Sequence, residues 1–187
     1  MKILNFWMVA FMALSLSTTL TSCSDDDEKK EETEMKTLTV DATAYNQWVY
    51  VNLKDGKTQT VTMEGSDDES AVTIDWQIAI HRYTEVKTNG GSVVKTDMTD
   101  ISKVTTIPTG GYVADESEQN ILVRFVMPPT DDCYVKSHCN TTMVWTEGSA
   151  MAGTLATTNN VFVLKCKDGT YACLLYTSDA ADELDGV

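Results

Sequence analysis

The chain has 187 residues, with 14 Lys+Arg against 28 Asp+Glu and a formal net charge of −14. A polymer this acidic is repelled by phosphate backbones, which excludes nucleic acid as a partner, and two histidines, His81 and His138, exclude a multi-histidine metal site. Hydrophobic residues make up 42%, enough for a packed core, so the chain is not disordered as a whole.

In chain order, Met1-Lys2 precedes an apolar run from Ile3 to Leu16. A basic start and a short apolar stretch read as a signal peptide over residues 1–22, too short to stay as a spanning helix. The run ends Leu20-Thr21-Ser22-Cys23, which resembles a lipobox and marks Cys23 for lipidation. Residues 23–35 read as a lipidated cysteine and solvated tether: residues 24–34 carry seven acids, two lysines and no large apolar side chain before Met35. The start Cys23-Ser-Asp-Asp-Asp27 resembles the export signal of surface lipoproteins in Bacteroidetes-type bacteria, which implies a lipid-anchored protein on the outer face of the outer membrane.

The segment 36–172 reads as one all-β domain, an antiparallel sandwich or barrel-like unit with at most one short helix. Leu38 and Val40 alternate with threonines as a strand. Asp41 to Trp48 is the single helix expected, capped by Asp41, with Tyr45 and Trp48 on one side. Trp48–Leu53 and Thr58–Met63 flank Asp55-Gly56, a hairpin signal. Asp67-Asp68-Glu69 reads as a solvated turn, since it lacks the spaced oxygens of a calcium loop. Thr73–Ile80 follows as a strand with Ile74, Trp76, Ile78 and Ile80 on one face. Within it and beyond, His81 reads as structural, bonded at the edge of the core. Asn89-Gly90-Gly91 and Pro108-Thr-Gly-Gly111 turn the chain, and Ile121–Val126 reads as a buried strand. Val161–Lys165 and Thr170–Ala172 flank Asp168-Gly169 as a second hairpin.

Residues 173–187 carry four acids and no base. Cys173 to Glu183 resembles the in-frame translation of a transposase sequencing adapter, so the tail is expected to lie outside the evolved domain, to pack poorly and to leave the edge at Thr170–Ala172 unpaired. The domain itself then reads as C-terminally truncated after about Ala172. Of five cysteines, Cys133, Cys139 and Cys166 remain for disulfide formation, with Cys133–Cys139 the nearest pair in sequence. No nucleophile–base constellation, phosphate-binding loop or zinc motif is present, and the chain reads as a non-enzyme.

The ordered series Thr37–Trp48, Asp75-Trp-Gln-Ile-Ala-Ile-His-Arg-Tyr83, Lys95-Thr-Asp-Met98, Ile107-Pro-Thr-Gly-Gly-Tyr112 and Asn160–Ala172 resembles the HmuY-like haem-binding lipoproteins of Bacteroidetes. That resemblance implies an all-β surface haemophore that captures haem b, draws it from host haemoproteins and passes it to an outer-membrane receptor. It also implies a further strand or strands after Ala172. The family offers two axial ligands from two loops; the histidine pair of its founding member is not available here, and other members use methionines. The matching positions are Met127, in the loop after Ile121–Val126, and Met151, among the small residues Ala150, Ala152 and Gly153. His138 and Met143 are the alternates in the first loop. Thioether and imidazole are both haem-iron ligands, which is the chemistry such a site requires. The competing reading is a non-haem surface lipoprotein that binds a glycan or a protein through Tyr45, Trp48, Trp76 or Trp145.

Overall fold

The computed structural model describes residues 2–6, 35–82, 84–149 and 152–177. The strands in chain order are β1 (Lys2–Phe6), β2 (Met35–Thr37), β3 (Gln47–Val51), β4 (Thr58–Thr62), β5 (Ile78–His81), β6 (Glu85–Thr88) and β7 (Ser92–Lys95). They continue with β8 (Val113–Ala114), β9 (Ser117–Leu122), β10 (Tyr134–Cys139), β11 (Thr146–Glu147), β12 (Ala156–Thr157), β13 (Val161–Lys165) and β14 (Tyr171–Leu175). Two 3-10 turns, Ile101–Lys103 and Asp131–Cys133, are the helical elements among the described residues, and the fold is all-β and antiparallel.

Two sheets make the sandwich. One has four strands in the order β4-β3-β5-β6, and the other six in the order β2-β1-β14-β13-β7-β8. Between them lies the main core. Val51, Ile78, Ile80 and Val86 from the first sheet meet Val93, Phe162, Leu164 and Leu174 from the second, with Met143 and Trp145 filling in. Each of these fully buried side chains contributes about 1.5–3 kcal/mol. The outer face of the four-stranded sheet is covered as well. There Trp48, Tyr50 and Ala79 pack against Ile121, Val135 and Cys139 of the β9–β10 hairpin. On the far side, Ile101 and Val104 cover Val161, Val163, Cys173 and Leu175. The central strands are thus buried on both faces, and so read as continuous apolar runs rather than as alternation.

Both sequence-read hairpins form. β3 pairs with β4 around Gly56 and β13 with β14 around Gly169, each glycine at positive φ. The two turns are joined by Lys54 Nζ, 2.9 Å from Asp168 Oδ2. Asn89-Gly90-Gly91 carries the chain from one sheet to the other, because β6 and β7 lie in different sheets. A Cβ on Gly91 would sit 2.7 Å from the Lys165 carbonyl oxygen, so the crossover needs glycine.

Four expectations are corrected. Residues 41–48 form no helix: the Asp41 carboxylate takes the Thr43 amide at 3.1 Å, a local turn that competes with helix, and β3 begins at Gln47. The strand expected from Thr73 starts only at Ile78, because the Gln59 side chain claims the amides of Thr73 and Ile74 and the Ala71 carbonyl. The strand around Ile121 runs from Ser117 to Leu122; Ile121 is buried, but Phe125 faces outward. Cys173, Leu174 and Leu175 are not loosely packed: they complete β14 against β13 and are buried, and the other edge of β14 is paired with β1, a strand within the segment read as a signal peptide. Residues 178–187 lie outside the described residues. So do Cys23 and the segment from Trp7 to Glu34.

Cys133 immediately precedes β10 and Cys139 ends it, about 20 Å of extended chain apart, beyond the roughly 7 Å that a disulfide spans. They, Cys166 and Cys173 are free and buried.

Candidate functional site

The β9–β10 hairpin is pinned at one end. Asn140, just after β10, donates its amide N–H to the Val86 carbonyl at 2.8 Å. Its side chain donates to the Val113 carbonyl at 2.8 Å and to Asp115 Oδ1 at 3.0 Å. Asp115 in turn accepts from the Thr88 backbone amide and from its hydroxyl. Burial pushes the Asp115 carboxyl up, and the bonds from Thr88 and Asn140 offset only part of that. This one knot ties the hairpin to both sheets.

At the opposite end is the loop 123–133. Its neck closes through the Val123 amide on the Cys133 carbonyl at 2.8 Å and the Cys133 amide on the Thr130 carbonyl at 2.9 Å. Arg124 and Asp132 form an ion pair across it. The Thr130 hydroxyl, with Arg124 beside it, holds the Asp132 carboxyl below the usual carboxylate range. Met127 stands on this loop, 71% exposed, and Phe125 is 48% exposed. Exposure of this order sets Met127 apart from core methionines, and a thioether facing solvent is open to a ligand.

Beside the loop is an open cleft of about 600 Å³, lined by Tyr45, Met63, Val123, Arg124, Phe125 and Asp132. The Tyr45 and Phe125 rings stack, centroids 6.0 Å apart and planes 26° from parallel. The Arg82 guanidinium lies 3.5 Å from the Tyr45 ring centroid. The Tyr45 carbonyl oxygen is 2.7 Å from Nε2 of the buried His81, whose Nδ1 is 3.2 Å from Glu85 Oε2. Burial raises the Glu85 carboxyl, but the bonds from His81 and Thr84 together bring it below its ordinary value. His81 is structural, as its sequence setting implies.

The second loop joins β11 to β12, residues 148–155. It closes through the Thr154 amide on the Ser149 carbonyl at 3.0 Å. Gly148 has φ +90°, and a Cβ there would lie 2.1 Å from the Thr154 carbonyl oxygen. Met151 falls on this tip but outside the described residues. Of the two alternates, Met143 is fully buried in the main core, and His138 lies on the exposed side of β10 opposite Glu118, about 17 Å of strand beyond Cys133.

Sequence reasoning missed Phe125, Arg82 and Arg124. Phe125 sat in an apolar run that looked like core, and the two arginines gain a role only through contacts across the fold. The Asp67-Asp68-Glu69 turn is solvated at Asp68 and Glu69 but not at Asp67, and Asp67 and Glu69 hold the buried Lys87, Nζ to carboxylate oxygens at 2.9 and 2.6 Å. Among the described residues no cluster of His, Cys, Asp and Glu suits a metal ion. Trp48, Trp76 and Trp145 are core residues, which leaves Tyr45 alone of the four aromatics considered for a glycan surface.

The architecture is that of an antiparallel β-sandwich with an added hairpin that ends in an exposed loop. The HmuY protein family model matches residues 44–183, and the chain belongs to the HmuY family. The matched span reaches past Ala172. Among solved structures, the chain is similar to a candidate HmuY-like haem-binding protein of Bacteroides vulgatus, at 30% identity and a TM-score of 0.65 over 79% of this chain and 84% of that one. It is also similar to a candidate lipoprotein of Bacteroides fragilis, at 31% identity and a TM-score of 0.64 over 76% and 80%. A third likeness is to an apo HmuY analogue of Tannerella forsythia, at 30% identity and a TM-score of 0.62 over 74% and 83%. No curated protein matches. The family includes haem-binding proteins and is one of binding proteins rather than enzymes.

Proposed function

We propose that the chain is a lipid-anchored surface haemophore that takes up haem b as cargo between Met127 and Met151. The observation that carries this reading is the solvent-facing Met127 thioether on the same loop whose Val123, Arg124 and Phe125 line an open cleft. Haem supplies a flat apolar macrocycle, an iron that accepts soft donors, and two carboxylates. The donor set fits each part. Met127 offers sulfur, Tyr45 and Phe125 offer flat apolar surface, and Arg124 in the cleft wall, with Arg82 against the Tyr45 ring, offers cationic charge for carboxylates. Met151 would bring the second sulfur from the β11–β12 loop. Met143, filled into the core, and His138, far along β10, are poorly placed to replace Met127.

On this reading Cys23 carries the lipid, residues 23–35 hold the domain off the outer membrane, host haemoproteins are the donors and an outer-membrane receptor the acceptor. Thioethers favour ferrous iron, so the site is expected to hold ferrous haem more tightly than ferric haem. The test is titration of wild type, Met127→Ala, Met151→Ala and His138→Ala with haemin, with and without dithionite. Each Met change should weaken ferrous binding and alter the spectrum, and His138→Ala should leave it unchanged. No Soret shift in the wild type under either condition would sink the reading.

A further inference from the structure

Met127 is exposed, so its own packing does not fix where its sulfur points. Its position has to come from the loop that bears it. That loop is closed at its neck by backbone bonds and by the Arg124–Asp132 pair, both of which act near the β9–β10 ends. Nearer to Met127, two residues before it, Phe125 stacks on a ring from a distant part of the chain, that of Tyr45. Tyr45 is itself held twice, by His81 Nε2 on its carbonyl and by the Arg82 guanidinium against its ring. His81 is fully buried and anchored by Glu85, so this support roots in the β5–β6 hairpin of the sandwich.

We infer that Tyr45 is a positioning residue for Met127, acting through its stack on Phe125. The rigid sandwich reaches the ligand loop by the route His81, Tyr45, Phe125. In this arrangement the ring matters and the Tyr45 hydroxyl does not. The stack also explains why an aromatic side chain stays half exposed at Phe125, where a polar residue would be better solvated. This deepens the haem reading and rests on it for its functional meaning, but the order of the loop can be read without haem.

The experiment uses the full chain with Tyr45→Ala, Tyr45→Phe and Phe125→Ala. In haem-free protein, the 15N heteronuclear NOE of Phe125 and Met127 should fall toward mobile-loop values in both alanine variants and stay at wild-type values in Tyr45→Phe. With haemin and dithionite, the alanine variants should bind about tenfold or more weakly, as when an outer partner of a metal ligand is removed. They should also lose six-coordinate character, while Tyr45→Phe binds as wild type. Phe125→Ala removes a half-exposed ring and leaves the core intact, so it decides the question if Tyr45→Ala folds poorly. Unchanged NOE values in the alanine variants would overturn the positioning role. So would a Tyr45→Phe variant as impaired as Tyr45→Ala, or a mobile loop with wild-type haem affinity and spectrum. A wild type that binds no haem would remove the haem reading, and the NOE arm would still decide the positioning.

Discussion

Lys87 and Asp67 form an ion pair in the interior, Nζ to Oδ1 at 2.9 Å, with the lysine only 4% exposed. Glu69 adds a second carboxylate, Ser137 donates its hydroxyl to Asp67, and the Trp48 ring lies 4.5 Å below the ammonium. Burial works against the Lys87 charge, but its bonds to Glu69 and Asp67 together keep its pKa above the ordinary lysine value. The group ties the 63–77 segment and β10 to the outer face of the four-stranded sheet. Lys87→Ala leaves the buried Asp67 carboxylate with only the Ser137 hydroxyl and should cost about 3–5 kcal/mol, read from urea denaturation midpoints. A loss below about 1 kcal/mol would mean that water already reaches the cluster.

Tyr50, on the same face, has its phenol pushed up to about 12, chiefly by burial. The unfolded chain releases that proton near 10. Because the folded value is the higher, the folded state binds more protons between the two, and stability falls as pH rises through that window. Full stability is expected below about pH 10, with progressive loss toward 12. Parallel absorbance at 295 nm and near-UV circular dichroism should show two late-titrating tyrosines, Tyr50 and Tyr112, with Tyr50 ionising as the fold is lost. In Tyr50→Phe the alkaline limb should move upward.

Phe162 is fully buried between the two sheets. Phe162→Ala should cost about 3–5 kcal/mol through lost transfer energy and the cavity left behind. Thermal unfolding of the two proteins in parallel checks it.

Gly91→Ala places a methyl within 2.7 Å of the Lys165 carbonyl, backbone that cannot yield cheaply. A cost of about 1–3 kcal/mol is expected, with hydrogen exchange loosened first where β7 meets β13.

Thioether ligands do not protonate in mild acid. The ferrous haem spectrum should therefore hold from pH 7.5 to 5.5, whereas an imidazole ligand would be lost near its ordinary value of about 6.5. A spectral transition close to that value, absent in His138→Ala, would replace Met127 with His138 as the first-loop ligand.

The two hairpins were legible because Asp55-Gly56 and Asp168-Gly169 carry their turn conformation locally. What sequence could not supply is competition from afar. Gln59 takes the backbone groups that a strand at Thr73 would need, and Asp41 spends its carboxylate on Thr43 instead of starting a helix. At the site, the resemblance singled out Met127, but the props of its loop lie about eighty residues upstream at Tyr45 and about forty-five upstream at Arg82. No local pattern joins them. Likewise Asp67 looked solvated because Lys87, the cation that it and Glu69 serve, belongs to a distant strand.

The knot of Asn140, Asp115 and Thr88 lies at one end of the β9–β10 hairpin and the ligand loop at the other. Mechanically the hairpin is bedded on the four-stranded sheet as far as Ile121 and Val135, and only the loop beyond overhangs, resting on one aromatic prop. Amide exchange should therefore stay slow along β10 and quicken in the loop after Val123. Substitutions at the tip should leave the melting temperature almost untouched, so selection can rewrite the ligand set there without endangering the sandwich that carries it.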